Sequence, residues 1–364
     1  MKNILIVFGT RPEIIKMAPV IHELKSVCNL KIMHTGQHKE LAEPLFKLFN
    51  IQPDLDLEVM EKGQDLFDLT SKLLPLLRSS ISDLNPDYVI VQGDTTSSYL
   101  AALSAFYLHI PVLHVEAGLR SHSLNEPFPE EMNRRQISNI ASYHFAATEL
   151  NRENLLKEGV DENRILVTGN TVVDALKWIL DNRSVSNKIL DGLTDPSKSQ
   201  KKALLTVHRR ENHGKPLKDI LKAAEKLLEI FPDLNILMPV HPNPEVQDMV
   251  KDHGVNNSRF KTIPPVSYDD FVKIIQNSDL ILTDSGGLQE EGAALGKKVF
   301  VLRNRTERQE LIKSGLGELV GTDPKLIVER VSEFLRYPSD IKALNIFGDG
   351  KAAARIRDYI LDQL

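Results

Sequence analysis

Short apolar, β-branched runs alternate along the chain with longer segments of helical periodicity. In the first half the strand-like runs are 3–9, 30–34, 87–92, 112–115, 143–146 and 165–168. Helical patterns fill 12–24, 41–49, 66–84, 97–108 and 131–141 between them. The first strands are nearly continuous in apolar residues, which is how a parallel strand covered on both faces reads. The pattern then restarts. Strand-like runs follow at 202–207, 235–240, 260–263, 280–283 and 298–302, with helical patterns at 218–231, 268–277, 288–295 and 325–337. A polar stretch, 183–202, separates the two series and reads as a surface connection. The pattern therefore predicts an α/β chain with two doubly wound, Rossmann-like domains in tandem. We expect the first domain at 1–170 and the second at 171–345. A last helix within 346–364 can pack on either domain by pattern alone, and we assign it to the first.

Composition narrows the function classes. The 364 residues carry 45 Lys and Arg against 50 Asp and Glu, a net charge of −5. So mild an acidity argues against holding nucleic acid through bulk electrostatics. The single cysteine, Cys28, excludes a disulfide framework or an all-cysteine metal site within one chain, and fits a reducing, cytoplasmic setting. The apolar run 4–8 is too short for a signal-peptide core, and no stretch approaches a membrane span, so no membrane partner is expected.

In open parallel sheets, ligands bind beyond the carboxyl ends of the strands. Polar residues cluster at those ends in both series. In the second, Ser285-Gly286-Gly287 stands between a strand and a helix start. Glycines let the backbone approach an anion, and a helix N-terminus offers free N–H groups. A tight turn with Asp284 or Ser285 as helix cap explains the same residues. His208, Arg209, Arg210 and Arg308, also near strand ends, tip the balance toward an anion. The first series supplies carboxylates: Asp94, Glu116, and the pair Glu130 and Glu131. An acid beyond a buried strand is costly unless paired or used. For Asp94 the competing reading is an N-cap of the next helix, and for Glu131 a helix-dipole acid. Several classes fall away. The first strand–helix turn holds only Gly9, not G-x-G-x-x-G, and neither a P-loop, H-E-x-x-H nor G-x-S-x-G occurs.

Five runs occur in order: Gly9-Thr10-Arg11-Pro12-Glu13-Ile14-Ile15-Lys16, Gln92-Gly93-Asp94-Thr95, Val115-Glu116-Ala117-Gly118-Leu119-Arg120, Pro129-Glu130-Glu131-Met132-Asn133-Arg134 and Thr283-Asp284-Ser285-Gly286-Gly287-Leu288-Gln289-Glu290-Glu291. Together they resemble the non-hydrolysing UDP-N-acetylglucosamine 2-epimerase family of bacteria and archaea. Thr35-Gly36-Gln37-His38 and Gly348-Asp349-Gly350-Lys351-Ala352 resemble family segments as well. The resemblance implies the two-domain glycosyltransferase-B architecture with a UDP-sugar in an interdomain cleft. It implies an isomerase that reversibly converts UDP-N-acetylglucosamine to UDP-N-acetylmannosamine through a 2-acetamidoglucal intermediate, without metal or other cofactor. It also implies a homodimer serving polysaccharide biosynthesis. By resemblance the catalytic residues are Asp94, Glu116, Glu130 and His208. Arg11, Lys16, Arg134, His241, Val266, Phe271, Ser285, Gly286, Gly287, Glu291 and Arg308 bind substrate, with Arg11, His208, residues 285–287 and Arg308 suited to the diphosphate. Gln37 and His38 fit a regulatory pocket. A glycosyltransferase using the same donor, a non-catalytic UDP-sugar binder, and a 2-epimerase of a diacetamido or uronate sugar nucleotide are the alternatives.

Overall fold

Continuous apolar runs become buried parallel strands, and the amphipathic segments between them become the helices that cover the sheets. A computed structural model describes residues 1–37, 39–61, 63–183, 200–241, 243–338 and 343–364. Residues 184–199 of the expected connection, and His38, lie outside the described residues. The chain divides into two units, Met1–Trp178 with Phe347–Leu364, and Ile179–Ile346.

The first unit carries seven parallel strands: β1 (Asn3–Phe8), β2 (Asn29–His34), β3 (Leu55–Asp56), β4 (Tyr88–Gln92), β5 (Val112–Ala117), β6 (Tyr143–Ala146) and β7 (Ile165–Val167). Their order is β3-β2-β1-β4-β5-β6-β7. Helices α1 (Arg11–Leu24), α2 (Lys39–Phe49), α3 (Leu66–Leu84), α4 (Thr96–Tyr107), α5 (Glu130–Ile140), α6 (Glu149–Lys157) and α7 (Thr171–Asn182) connect and follow them. On α3, Leu69, Leu73, Leu77 and Ile81 recur every four residues and are buried, which sets one face of the helix on the sheet. They join Leu5, Val7, Val89 and Val91 in one core.

The second unit carries β8 (Lys201–Thr206), β9 (Leu234–Pro239), β10 (Phe260–Ile263), β11 (Leu280–Thr283), β12 (Lys298–Val301) and β13 (Gly317–Leu319), in the order β10-β9-β8-β11-β12-β13. Its helices are α8 (Lys215–Ile230), α9 (Pro244–His253), α10 (Tyr268–Asn277), α11 (Gly286–Ala294), α12 (Gln309–Lys313) and α13 (Pro324–Arg336). Leu217, Leu221, Leu227, Leu282, Phe300 and Ile327 lie in its core. A last helix, α14 (Ala352–Gln363), belongs to the first unit. Both sheets are doubly wound, as the pattern predicts. Among the described residues no helix is long and apolar enough to cross a membrane.

Candidate active site

Each sheet reverses its winding once, between β1 and β4 in the first unit and between β8 and β11 in the second. Two crossovers leave such a point in opposite directions, so the turns there splay apart and open a crevice. Several polar residues singled out in the sequence follow the strands that flank these points: Arg11 after β1, Asp94 after β4, His208 after β8 and Asp284 after β11.

In the first unit one buried acid ties the turns together. Glu13, in the first turn of α1, reaches back to Gly9 N at 3.1 Å and Thr10 N at 2.8 Å. Its other oxygen accepts from Thr95 Oγ1 at 2.9 Å and Ser98 Oγ at 2.6 Å, across the switch point. Burial raises the Glu13 carboxyl above its ordinary range, against the pull of those four donors. Thr95, not Asp94, is the N-cap of α4, its hydroxyl accepting from Ser98 N. The capping explanation of Asp94 is thereby removed.

Asp94 instead meets Arg134 of α5, with Oδ2 2.5 Å from the guanidinium, and its carbonyl accepts from Asn133 Nδ2 at 2.9 Å. Glu131 is fully buried and spent on structure: it accepts from Ser121 N at 2.9 Å and from Arg135 Nε at 3.0 Å. Glu130 opens α5 and is half-buried.

Glu116 lies inside β5, not beyond it, and interrupts the strand. Its φ is +63°, in a region costly for a side-chain-bearing residue, and the β5–β6 register slips between Val115 and Ala117. The slip turns the carboxylate toward α1. Lys16 Nζ approaches both oxygens, at 2.6 and 2.7 Å. Gln92 Nε2 donates to Oε2, and Asn170 Nδ2 donates to Oε1 at 2.9 Å. Sequence reasoning missed Glu13, which ties the turns at the switch point, and Gln92 and Asn170, which hold Glu116. The first two stand within the runs that carry the family resemblance, and Asn170 carries only the signature of a helix cap.

In the second unit Asp284 follows β11 and is fully buried. It accepts from Arg209 N at 3.0 Å, from Asn212 Nδ2 at 2.9 Å and from His208 N, and lies 2.8 Å from His208 Nδ1. Burial opposes its charge, yet the His208 contact and the backbone donors hold the carboxyl down to about 2. Asp284 thus orients His208, whose ring centroid lies 5.9 Å from that of His241.

Ser285 caps α11, and Gly286 and Gly287 are its first residues. A β-carbon on Gly286 would lie 2.7 Å from the Arg308 guanidinium, so glycine is what lets that cation rest against the helix N-terminus. Arg308 also meets Glu290 at 2.9 Å and Glu307 at 3.4 Å. A capped N-terminus beside a buried arginine is suited to an oxyanion. Glu291 is buried and accepts from Tyr268 Oη at 2.7 Å. Val266 precedes α10 and Phe271 lies on it, both half-buried. Arg11 begins α1, and Gln37 accepts from Ser97 Oγ at 3.0 Å.

The model of the family described as UDP-N-acetylglucosamine 2-epimerase matches residues 22–361. The UDP-N-acetylglucosamine 2-epimerase of Escherichia coli K12 is 43% identical over 98% of this chain and 98% of its own. The crystal structure of the UDP-GlcNAc 2-epimerase from Neisseria meningitidis, bound to UDP-GlcNAc, superposes with a TM-score of 0.93 at 39% identity, covering 99% of this chain and all of that one. The Methanocaldococcus jannaschii enzyme, in complex with UDP-GlcNAc and UDP, gives a TM-score of 0.86 at 36% identity over 98% of this chain and 99% of that one.

Proposed function

The chain belongs to the UDP-N-acetylglucosamine 2-epimerase family, and from that premise we propose that it interconverts UDP-N-acetylglucosamine and UDP-N-acetylmannosamine by elimination and readdition of UDP. The C2 hydrogen has no adjacent carbonyl, so its direct removal would leave an unstabilised carbanion. Cleaving the C1–O bond solves this. The bonding pair leaves with the UDP oxygen, the C2 proton passes to a base, and a C1–C2 double bond forms. Protonation of C2 from the other face, with return of UDP to C1, gives the epimer. The cycle is redox-neutral; it leaves the base protonated and the acid deprotonated, and proton exchange with solvent resets both.

The single observation that carries this reading is the pair of ion-paired carboxylates at the first switch point: Glu116 on Lys16 and Asp94 on Arg134. Proton removal and delivery on opposite faces need two separately held acid–base groups. Asp94, Glu116 and Glu130 take these roles in our reading. Arg11, His208, the backbone of 285–287 and Arg308 retain the diphosphate, which gains charge as it leaves. Glu291 takes the ribose hydroxyls, Val266 and Phe271 the uracil, and His241 assists positioning. The homodimer, the cytoplasmic setting and the supply of polysaccharide precursors belong to the same reading. Light scattering at twice the chain mass of 41.0 kDa tests the first of these.

Incubation with UDP-N-acetylglucosamine in heavy water tests the chemistry. Proton NMR is expected to show deuterium entering C2 of both epimers. Substrate that stays unlabelled and unchanged overturns the reading. Asp94→Asn is expected to lower kcat about a thousandfold while UDP affinity holds, and a near-normal rate removes Asp94 from the catalytic set.

A further inference from the structure

We propose that Asn170, together with Gln92, is a positioning residue that fixes the plane of the Glu116 carboxylate, and that the C-terminal segment holds Asn170 in place for this. The inference rests on the function proposed above. The Asn170 amide is divided between two partners. Its Oδ1 accepts from Val172 N at 3.0 Å, as an N-cap does at the second residue of a helix. Nδ2 is left to donate to Glu116 Oε1 at 2.9 Å. The cap decides which way the amide is turned, so the donor end faces the carboxylate.

The backbone at Asn170 is held as firmly. Its N–H donates to Phe347 O at 2.6 Å. Gly169 and Gly348 cross so closely that a β-carbon on Gly169 would stand 3.0 Å from the Gly348 Cα. Lys177 Nζ donates to Asp349 O, and Arg355 grips the Asp349 carboxylate at 2.7 and 2.8 Å. Asp174 accepts from Ala353 N at 2.9 Å, at the start of α14. Residues 347–355 thus form a strap across 169–177, and Asn170 itself is 2% exposed.

Lys16 alone does not orient Glu116. An ammonium group is a near-spherical charge on a flexible stem, and it sits almost equidistant from the two oxygens. The two amides differ from it: each is planar and directional, Gln92 engages Oε2 and Asn170 engages Oε1. Together they stop rotation of the carboxylate, which already stands on a strained residue of β5. Removing one amide donor keeps the ion pair and frees the plane.

Asn170→Asp is the test. It retains an oxygen for Val172 N and the same volume, but turns a second acceptor toward Glu116. The expected result is a kcat lowered about 100-fold with UDP affinity by calorimetry nearly unchanged, while Tm falls because a second carboxylate is buried against Glu116. A merely structural role moves affinity along with kcat. A kcat within about threefold of wild type overturns the proposal, as does a kcat loss matched by an equal loss of UDP affinity. Should Asn170→Asp fail to fold, Asn170→Ser keeps a capping hydroxyl while withdrawing the donor, and the same two criteria apply. A wild-type protein that epimerises nothing sinks the function proposed above and this inference with it. Active wild type with indifferent variants sinks this inference alone.

Discussion

A β-carbon at position 286 would stand 2.7 Å from the nearest Arg308 nitrogen and 2.8 Å from its central carbon. The guanidinium is buried and pinned by Glu290 and Glu307, so it has little room to give. Gly286→Ala is therefore expected to displace Arg308 and weaken UDP binding about tenfold, or about 1.4 kcal/mol, as titration calorimetry would read it. Unchanged affinity would separate Arg308 from the diphosphate. The sequence marks the Gly-Gly turn and, with the cations near strand ends, favours an anion cradle over a tight turn. It does not show that Arg308, 22 positions further on, comes to rest against position 286, and no local pattern encodes that. Asp94 and Thr95 make the same point. Both are good capping residues by type, and only the backbone, with Thr95 at φ −67° and ψ 161°, selects the threonine. Asn170 is legible as a cap, while its second partner lies 54 residues away.

Adjacent strands carry a histidine each at the same register: His114 on β5 faces His144 on β6. Both are buried, and their rings meet edge-on at 6.5 Å. Burial pushes His114 down to about 4 and His144 to about 3. In the unfolded chain each takes a proton near pH 6.5. Between there and about pH 4 the unfolded state binds more protons, so stability is full above 6.5 and declines as pH falls. The slope reaches about 1.4 kcal/mol per pH unit for each histidine. Calorimetry of the wild type is expected to show Tm falling from pH 7 to pH 5, and His144→Leu to fall less steeply. Equal slopes would overturn this account. The long elements follow from periodicity, since strands such as β1 and β4 are apolar in all but one residue and helices such as α3 repeat every four residues. The elements missed have physical reasons. β3 is two residues long and α12 five, β13 begins with glycine, and α6 and α9 are too polar to announce a buried face. β5 runs two residues past its apolar run because the slipped register carries Glu116 and Ala117 within it.

The first unit is built from both ends of the chain. α14 packs on α1, with Ile356 and Ile360 fully buried. Lys2 Nζ donates to Ile360 O at 2.6 Å, and Arg357 pairs with Glu23. Each buried isoleucine is worth about 1.5–3 kcal/mol. Deleting residues 347–364 is expected to remove the cooperative thermal transition of the first unit while that of the second survives, and two intact transitions would contradict this. The doubly wound plan of each unit is legible because continuous apolar strands have few other homes. An amphipathic last helix is less informative: its periodicity says that one face is buried, not against which sheet. The arrangement also orders the events of synthesis. Every residue of the second unit leaves the ribosome before the helix that completes the first, so the part made earlier waits, unfinished, for the part made last. A chaperone that shields nascent chains would meet the exposed flank of α1 throughout that interval.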